Sequence, residues 1–397
     1  MSPVYHLPTQ IISRAVCVNK LLNIFWQFFL LGWTSFGGPA AHLGYFRTNF
    51  VEKKKWLTDV EYSQLIALSQ FLPGPGSSQV GFALGYQRAG LLGGLAAFVG
   101  FTLPSFAILL AVAMSSQLFL SADWYQGLIA GLKLLAVVVV ADATLQMFRS
   151  FCKSQLTIGL CVISAALLLL FPGVVVQMAI LIVAAMIGYY WLPGDSDSQQ
   201  KARFVIWPLV LFAVLLVGLP FLVSFSPMAR VISDFFQAGS MVFGGGHVVL
   251  PLLQSTTEGL ISTDTFLTGY AAAQAVPGPM FTLATYLGYF VSESSPVLGA
   301  TVATMAIFLP GFLLVIGVLP AWQALAGRAK IAGAVAGINA SVVGLLLSAL
   351  YSPVFISAVH SGLEMALVLI GAFLLRGMKL SVFWLVLLFI GVGILLL

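Results

Sequence analysis

Gln70-Phe71-Leu72-Pro73-Gly74-Pro75-Gly76-Ser77-Ser78-Gln79 interrupts one apolar segment, and Gln274-Ala275-Val276-Pro277-Gly278-Pro279 interrupts another, 204 residues later. Leu84-Gly85-Tyr86 follows the first break and Leu287-Gly288-Tyr289 the second. Upstream, Gly32-Trp33-Thr34-Ser35-Phe36-Gly37-Gly38-Pro39 is answered 207 residues on by Gly239-Ser240-Met241-Val242-Phe243-Gly244-Gly245-Gly246. Leu103-Pro104-Ser105-Phe106 returns as Leu309-Pro310-Gly311-Phe312, at an offset of 206. Four landmarks in one order with a nearly constant offset establish an internal duplication.

The chain is 60% hydrophobic and 7% charged over 397 residues, with a mean hydropathy of +1.06. Soluble domains carry roughly a quarter charged residues, so the bilayer is the solvent for most of this chain. Long continuous apolar runs such as Leu128–Val140 exclude a barrel, which alternates with period two. The fold class expected is an all-α polytopic membrane protein, with two homologous inverted repeats and broken or re-entrant helices. It has about nine to thirteen membrane segments. The net charge of +5 is spread over segment ends, which suits orientation and lipid headgroups and gives no sign of nucleic acid. Cys17, Cys152 and Cys161 show neither a metal spacing nor a disulfide framework, and no cleavable signal peptide is evident.

The domain reading is a first repeat at 1–193, a linker and connecting helix at 194–225, and a second, inverted repeat at 226–397. Full-length membrane helices are expected at 90–115, 127–148, 154–171, 173–192, 204–224, 296–318, 332–350, 354–375 and 380–397. The segments 22–46, 62–87, 230–251 and 266–290 carry the breaks. Arg47 and Lys53–Lys55 place loop 47–61 on the cytoplasmic side, whereas loop 252–265 has Glu258 and Asp264 and no Lys or Arg. The positive-inside rule then orients the two halves oppositely. It favours motif segments that dip in and return, although single crossings give the same inversion.

Inverted repeats with broken helices in matching positions point to a transport site. A helix start inside the membrane offers free N–H donors and a partial positive charge, which suits an anion. Pro75 and Pro279 favour such a start, and the glycines allow close approach. No carboxylate lies between Gln70 and Gly85 or between Gln274 and Gly288. The expected substrate-binding residues are Gly37, Gly38, Gln70, Pro73, Gly74, Pro75, Ser77 and Ser78 in the first half. In the second they are Gly244, Gly245, His247, Gln274, Pro277, Gly278, Pro279 and Thr282. The competing reading, that Gly and Pro merely kink packed helices, is weakened by the double occurrence. His42 reads as a packing histidine. Lys133, Asp142 and Glu364 are the coupling candidates. Lys133 snorkels or offers a cation, Asp142 pairs with Arg149 or Lys153, and Glu364 sits mid-helix beside His360. No HExxH, P-loop, GxSxG or Cys/His cluster is present, so neither an enzyme, a cofactor nor an intrinsic ATP drive is expected.

At Phe36-Gly37-Gly38-Pro39, Gln70…Pro73-Gly74-Pro75 and their repeats, the sequence resembles the chromate ion transporter family over nearly its whole length, in the long form that fuses two homologous halves. The resemblance implies export of chromate driven by a membrane potential or proton gradient, with a link to the analogous dianion sulfate. The expected location is the inner cell membrane, multi-pass, and the expected partners are chromate or sulfate, the lipid bilayer and a further copy of the chain. The sequence departs from the repeat at Gly246, which stands where Pro39 does, and in lacking a second lysine cluster. A carrier or channel for another oxyanion, or a membrane enzyme or scaffold, are the alternatives.

Overall fold

The computed structural model describes residues 9–36, 38–119, 123–192, 203–243, 249–322, 325 and 328–397. The linker expected at 194–201 lies outside the described residues. The first repeat runs α1 (Thr9–Thr34), α2 (Gly38–Phe46), α3 (Asp59–Phe71), α4 (Gly76–Phe119), α5 (Asp123–Phe151), α6 (Gln155–Leu170) and α7 (Val174–Trp191). α8 (Ile206–Leu222) connects the halves. The second repeat runs α9 (Pro227–Ser240), α10 (Val249–Thr257), α11 (Thr263–Ala275), α12 (Leu283–Val291), α13 (Pro296–Val318), α14 (Ala329–Ala349), α15 (Gly362–Arg376) and α16 (Val382–Leu396). Every element of the first half has a successor in the second. α4 corresponds to α12 and α13 together, because Ala89 and Gly90 leave helical geometry and split it.

Several helix starts follow local chemistry. Thr58 with Glu61, Ser154 with Thr157 and Ser361 with Glu364 form capping boxes, and Ser226 precedes Pro227. These side chains satisfy backbone donors that a helix start leaves orphaned.

The broken segments fold back on themselves. Phe28, before the Phe-Gly-Gly break, packs at 4.8 Å from Phe50, after it; along a straight helix these residues lie about 33 Å apart. Arg88 stacks on Trp56 at 4.7 Å, so the two arms of the Pro-Gly-Pro segment lie side by side. In the second half a Cβ on Gly269 would strike Tyr286, and Asp234 and Gln237 share a cleft with Ser255 and Thr256. Both motif segments of each half are therefore hairpins.

The halves interlock through small residues. Gly127 and Gly131 of α5 meet Gly393 and Phe389 of α16, in opposite directions. Their repeats, Gly333 and Gly337 of α14, meet Gly188 and Ala184 of α7 in the same manner. α15 runs along α5 in parallel, with Gly371 at Val138 and Arg376 on Asp142. The segment following α14 also packs on α5, so α14 ends beside the start of α5. α5 and α14 are antiparallel, and the second repeat is inverted. Gly131→Val is expected to destabilise the protein by about 1–3 kcal/mol through overpacking, because its Cβ would lie 2.0 Å from the Phe389 carbonyl oxygen. A lower melting temperature in detergent checks this.

Helices α6, α7, α8 and α16 leave large apolar side chains uncovered, including Val175 at 82%, Phe221 at 74% and Leu395 at 81% exposure. In water such a surface would drive aggregation; in a bilayer it is the lipid face. Gly76–Ser116, Trp124–Phe151, Pro296–Ala321 and Ala329–Phe355 are long and apolar enough to cross a membrane.

Lys133 reaches an exposed carboxylate, pairing with Asp264, 131 residues on, whose side chain is 63% exposed. Two other ionisable residues differ from expectation. Asp142 pairs with Arg376 and accepts from Gln146, rather than pairing with Arg149 or Lys153. Glu364 is not mid-helix. It lies in the first turn of α15, where its carboxylate accepts from the His360 and Ser361 amides. These bonds hold the Glu364 carboxyl in the service of the helix start.

Candidate functional site

The two breaks of each half are joined to the breaks of the other half. The Gly74 amide donates to the Val242 carbonyl at 2.7 Å, and the Gly278 amide donates to the Ser35 carbonyl at 2.9 Å. Ser35 precedes Phe36-Gly37-Gly38 and Val242 precedes Phe243-Gly244-Gly245, so each Pro-Gly-Pro break is stitched to the opposite Phe-Gly-Gly break. A mid-membrane break would otherwise strand these backbone groups without water. Gly74 has φ +128° and Gly278 φ +99°, a region closed to side-chain-bearing residues at low cost. The interdigitation continues outward. A Cβ on Gly74 would lie 3.0 Å from Gly311 Cα, and one on Gly278 would lie 2.8 Å from Ser105 Oγ. Gly311 and Ser105 are themselves repeat partners.

At this crossing the first half supplies the side-chain polarity. Ser77 Oγ lies 3.2 Å from His42 Nδ1. Gln79 Nε2 donates to the Pro73 carbonyl at 2.9 Å and reaches the Gly311 carbonyl at 3.4 Å. Ser35 Oγ, His42 Nε2, Ser78 Oγ, Gln79 Oε1 and Thr102 Oγ1 are buried without a protein partner. An unsatisfied buried polar atom costs about 1–3 kcal/mol, and these five lie on the broken segments of the first half and on α4. Four of the five can present a hydrogen to an anion. Ser78 and Gln79 also sit in the first turn of α4, where backbone N–H groups and the helix dipole add positive potential.

The second half answers with apolar groups. By the repeat offsets, Val242 stands for Ser35, Val249 for His42, Leu283 for Gln79 and Phe308 for Thr102. The Thr282 hydroxyl, successor of Ser78, is spent on the Pro279 carbonyl at 2.6 Å. Among the described residues, the buried unpartnered polar atoms next to the breaks thus belong to the first half.

The expected site residues separate accordingly. Gly74, between Pro73 and Pro75, is bonded to Val242, and Gly278, between Pro277 and Pro279, to Ser35; Ser77 lies on His42, Ser78 is buried in the first turn of α4, and Gly38 opens α2. Gln70 is exposed in a cavity between α3 and α14. Gln274 is engaged with Tyr270. Gly37, Gly244, Gly245 and His247 lie outside the described residues. His42, read from sequence as a packing residue, is fully buried against the Phe101 ring, with Nδ1 on Ser77 and Nε2 without a hydrogen-bond partner. Ser35, Gln79 and Thr102 likewise keep a buried polar atom without a partner. Ser35 is signalled by adjacency to the Phe-Gly-Gly motif and Gln79 by its place in the helix start, whereas nothing local marks Thr102.

The chain is similar to a transporter of uncharacterised role from Methanocaldococcus jannaschii, 28% identical over 385 residues, which covers 95% of this chain and 94% of that protein. It is similar to a chromate transport protein of Cupriavidus metallidurans, 28% identical over 336 residues, covering 83% of this chain and 81% of the relative. An uncharacterised transporter of Bacillus subtilis matches over 42% of this chain yet 93% of its own length, the size of one repeat. No solved structure matches. The model of the chromate transporter family matches twice, at residues 22–189 and 229–395. With both repeats covered, this multi-pass membrane protein belongs to the chromate transporter family.

Proposed function

We propose that the chain is a secondary carrier that exports a tetrahedral dianion, chromate first and sulfate second, across the cytoplasmic membrane. The observation that carries this reading is the set of buried, unpartnered polar atoms of Ser35, His42, Ser78 and Thr102 at the crossing of the breaks. Relatives named as chromate transport proteins support chromate as the ion. A dianion of this size accepts several hydrogen bonds at once, and bonds to a charged group are worth about 1.5–3 kcal/mol each. No acid lies between Gln70 and Gly85 or between Gln274 and Gly288 to repel it. Since the sequence holds no nucleotide-binding motif, the driving force is an ion gradient or the membrane potential.

The mechanism follows from the geometry. The anion exchanges its water for hydroxyls, imidazole N–H and helix-start amides that are already held in place. The cross-bonded glycines keep both helix breaks at fixed distance from it. Uptake of labelled chromate and sulfate into inverted membrane vesicles, with and without a proton gradient, tests the proposal. Saturable chromate uptake that collapses with the gradient is expected; flux no greater than in vesicles lacking the protein overturns it.

A further inference from the structure

The inverted repeats supply an internal comparison. α3 and α11 are successors at an offset of 204, and α5 and α14 at an offset of 206, so the α11–α5 contact and the α3–α14 contact should be alike. They are not. Leu267 and Ala271 of α11 are fully buried, whereas their partners Ser63 and Ala67 on α3 are exposed. α11 lies against α5. Between α3 and α14 there is instead a cavity of about 330 Å³, reached by Ala67, Gln70, Phe71, Val335 and Asn339. One face of the same repeated design is shut and the other stands open.

The residue at the centre of each face also differs. Lys133 of α5 is bound to Asp264 at the start of α11, and its side chain is 14% exposed. The successor of Lys133 is Asn339, which is 5% exposed and has an unpartnered amide oxygen beside the open cavity. Among the described residues, the open face thus has no ion pair of this kind. It lies toward Arg328 and Lys330, which begin α14, and toward Lys53–Lys55, which precede α3. The shut face lies toward Glu258 and Asp264. By the positive-inside rule the open face looks into the cytoplasm.

We propose that the cavity between α3 and α14 is the cytoplasmic mouth of the anion pathway. Its inverted twin between α11 and α5 is then the outer mouth, latched by Lys133 and Asp264. Gln70 lines the open mouth three residues before the Pro73-Gly74-Pro75 break, so an entering anion reaches the crossing directly. Opening the outer mouth parts the Lys133 ammonium, 14% exposed, from the Asp264 carboxylate, 63% exposed, at the cost of their ion pair. That cost is offset when a dianion stands at the crossing to meet the freed charge. The latch thereby ties outward opening to a loaded site. This rests on the anion-carrier reading, but its test does not need transport.

Ala67→Cys and Ala271→Cys, at the twin positions, are to be introduced one at a time into a parent chain carrying Cys17→Ser and labelled with a thiol reagent in membranes, above the background of that parent, whose Cys152 and Cys161 are buried. Ala67→Cys is expected to react about tenfold faster than Ala271→Cys. Adding Asp264→Asn is expected to raise the Ala271→Cys rate and lower that of Ala67→Cys about tenfold each. Ser63→Cys and Leu267→Cys form a second pair, should a thiol at 271 impair folding. Equal rates at the twin positions overturn the proposal. So does cross-linking of Ala67→Cys to a second copy, or rates unmoved by Asp264→Asn. If the rates respond as expected but neither chromate nor sulfate alters them, the mouths stand and the substrate reading fails.

Discussion

Gly74→Ala is expected to lower chromate transport roughly a hundredfold, about 3 kcal/mol, in vesicles matched for the amount of protein. The new Cβ would lie 3.0 Å from Gly311 Cα and 2.9 Å from Gln79 Nε2. The glutamine end can move, but Gly311 is backbone of α13 in the opposite half and cannot yield alone. The φ of +128° adds strain of about 1–3 kcal/mol for any side-chain-bearing residue. Both effects push α4 away from the second half and lengthen the Gly74 amide bond to Val242. Because that bond positions the helix start, transport falls further than stability does. Gly278→Ala is the milder twin. Its φ of +99° is equally restrictive, but the nearest atom is the Ser105 hydroxyl at 2.8 Å, which can rotate. Parent-like transport in Gly74→Ala would show that the cross-bonded breaks do not hold the site.

The duplication, the membrane class and the breaks were legible because each rests on local residue chemistry. Proline and glycine interrupt a helix wherever they fall, and four landmarks at one offset leave little room for chance. What joins the breaks was not legible, since the Gly74 amide finds its acceptor 168 residues away at Val242. His42 and His247 follow the two glycine breaks at different spacings, and the repeat offset of 207 sets Val249 opposite His42. The long-range partners of Lys133 and Asp142 were likewise out of reach of helix-face arguments. Glu364 is different: the apolar run from 354 suggests a helix that places it centrally, but Ser361-Gly362-Leu363-Glu364 is itself a capping-box signal. That signal marks a helix start at 362 and accounts for the acid.

Ser78→Asp is expected to abolish transport while leaving the protein folded. Ser78 is 3% exposed, its hydroxyl lacks a partner, and it stands in the first turn of α4. A carboxylate there faces the same unpartnered groups and helix-start amides that await the substrate. Desolvating it costs several kcal/mol if unpaired, but charge-assisted bonds and the helix dipole, worth about 0.3–1 kcal/mol or more, act in its favour. The tethered anion then competes with the free one at very high effective concentration. Three readings follow from the one variant: no chromate flux, a melting temperature at or above that of the parent, and no further rise when chromate is added. Ser78→Ala removes one donor without adding charge, so it should weaken chromate about 10- to 150-fold and keep the chromate-induced rise at higher concentration. A packing role for Ser78 predicts the reverse order, with aspartate unfolding the protein and alanine harmless. The pair of variants thus separates an anion site from a mere kink at the same residue.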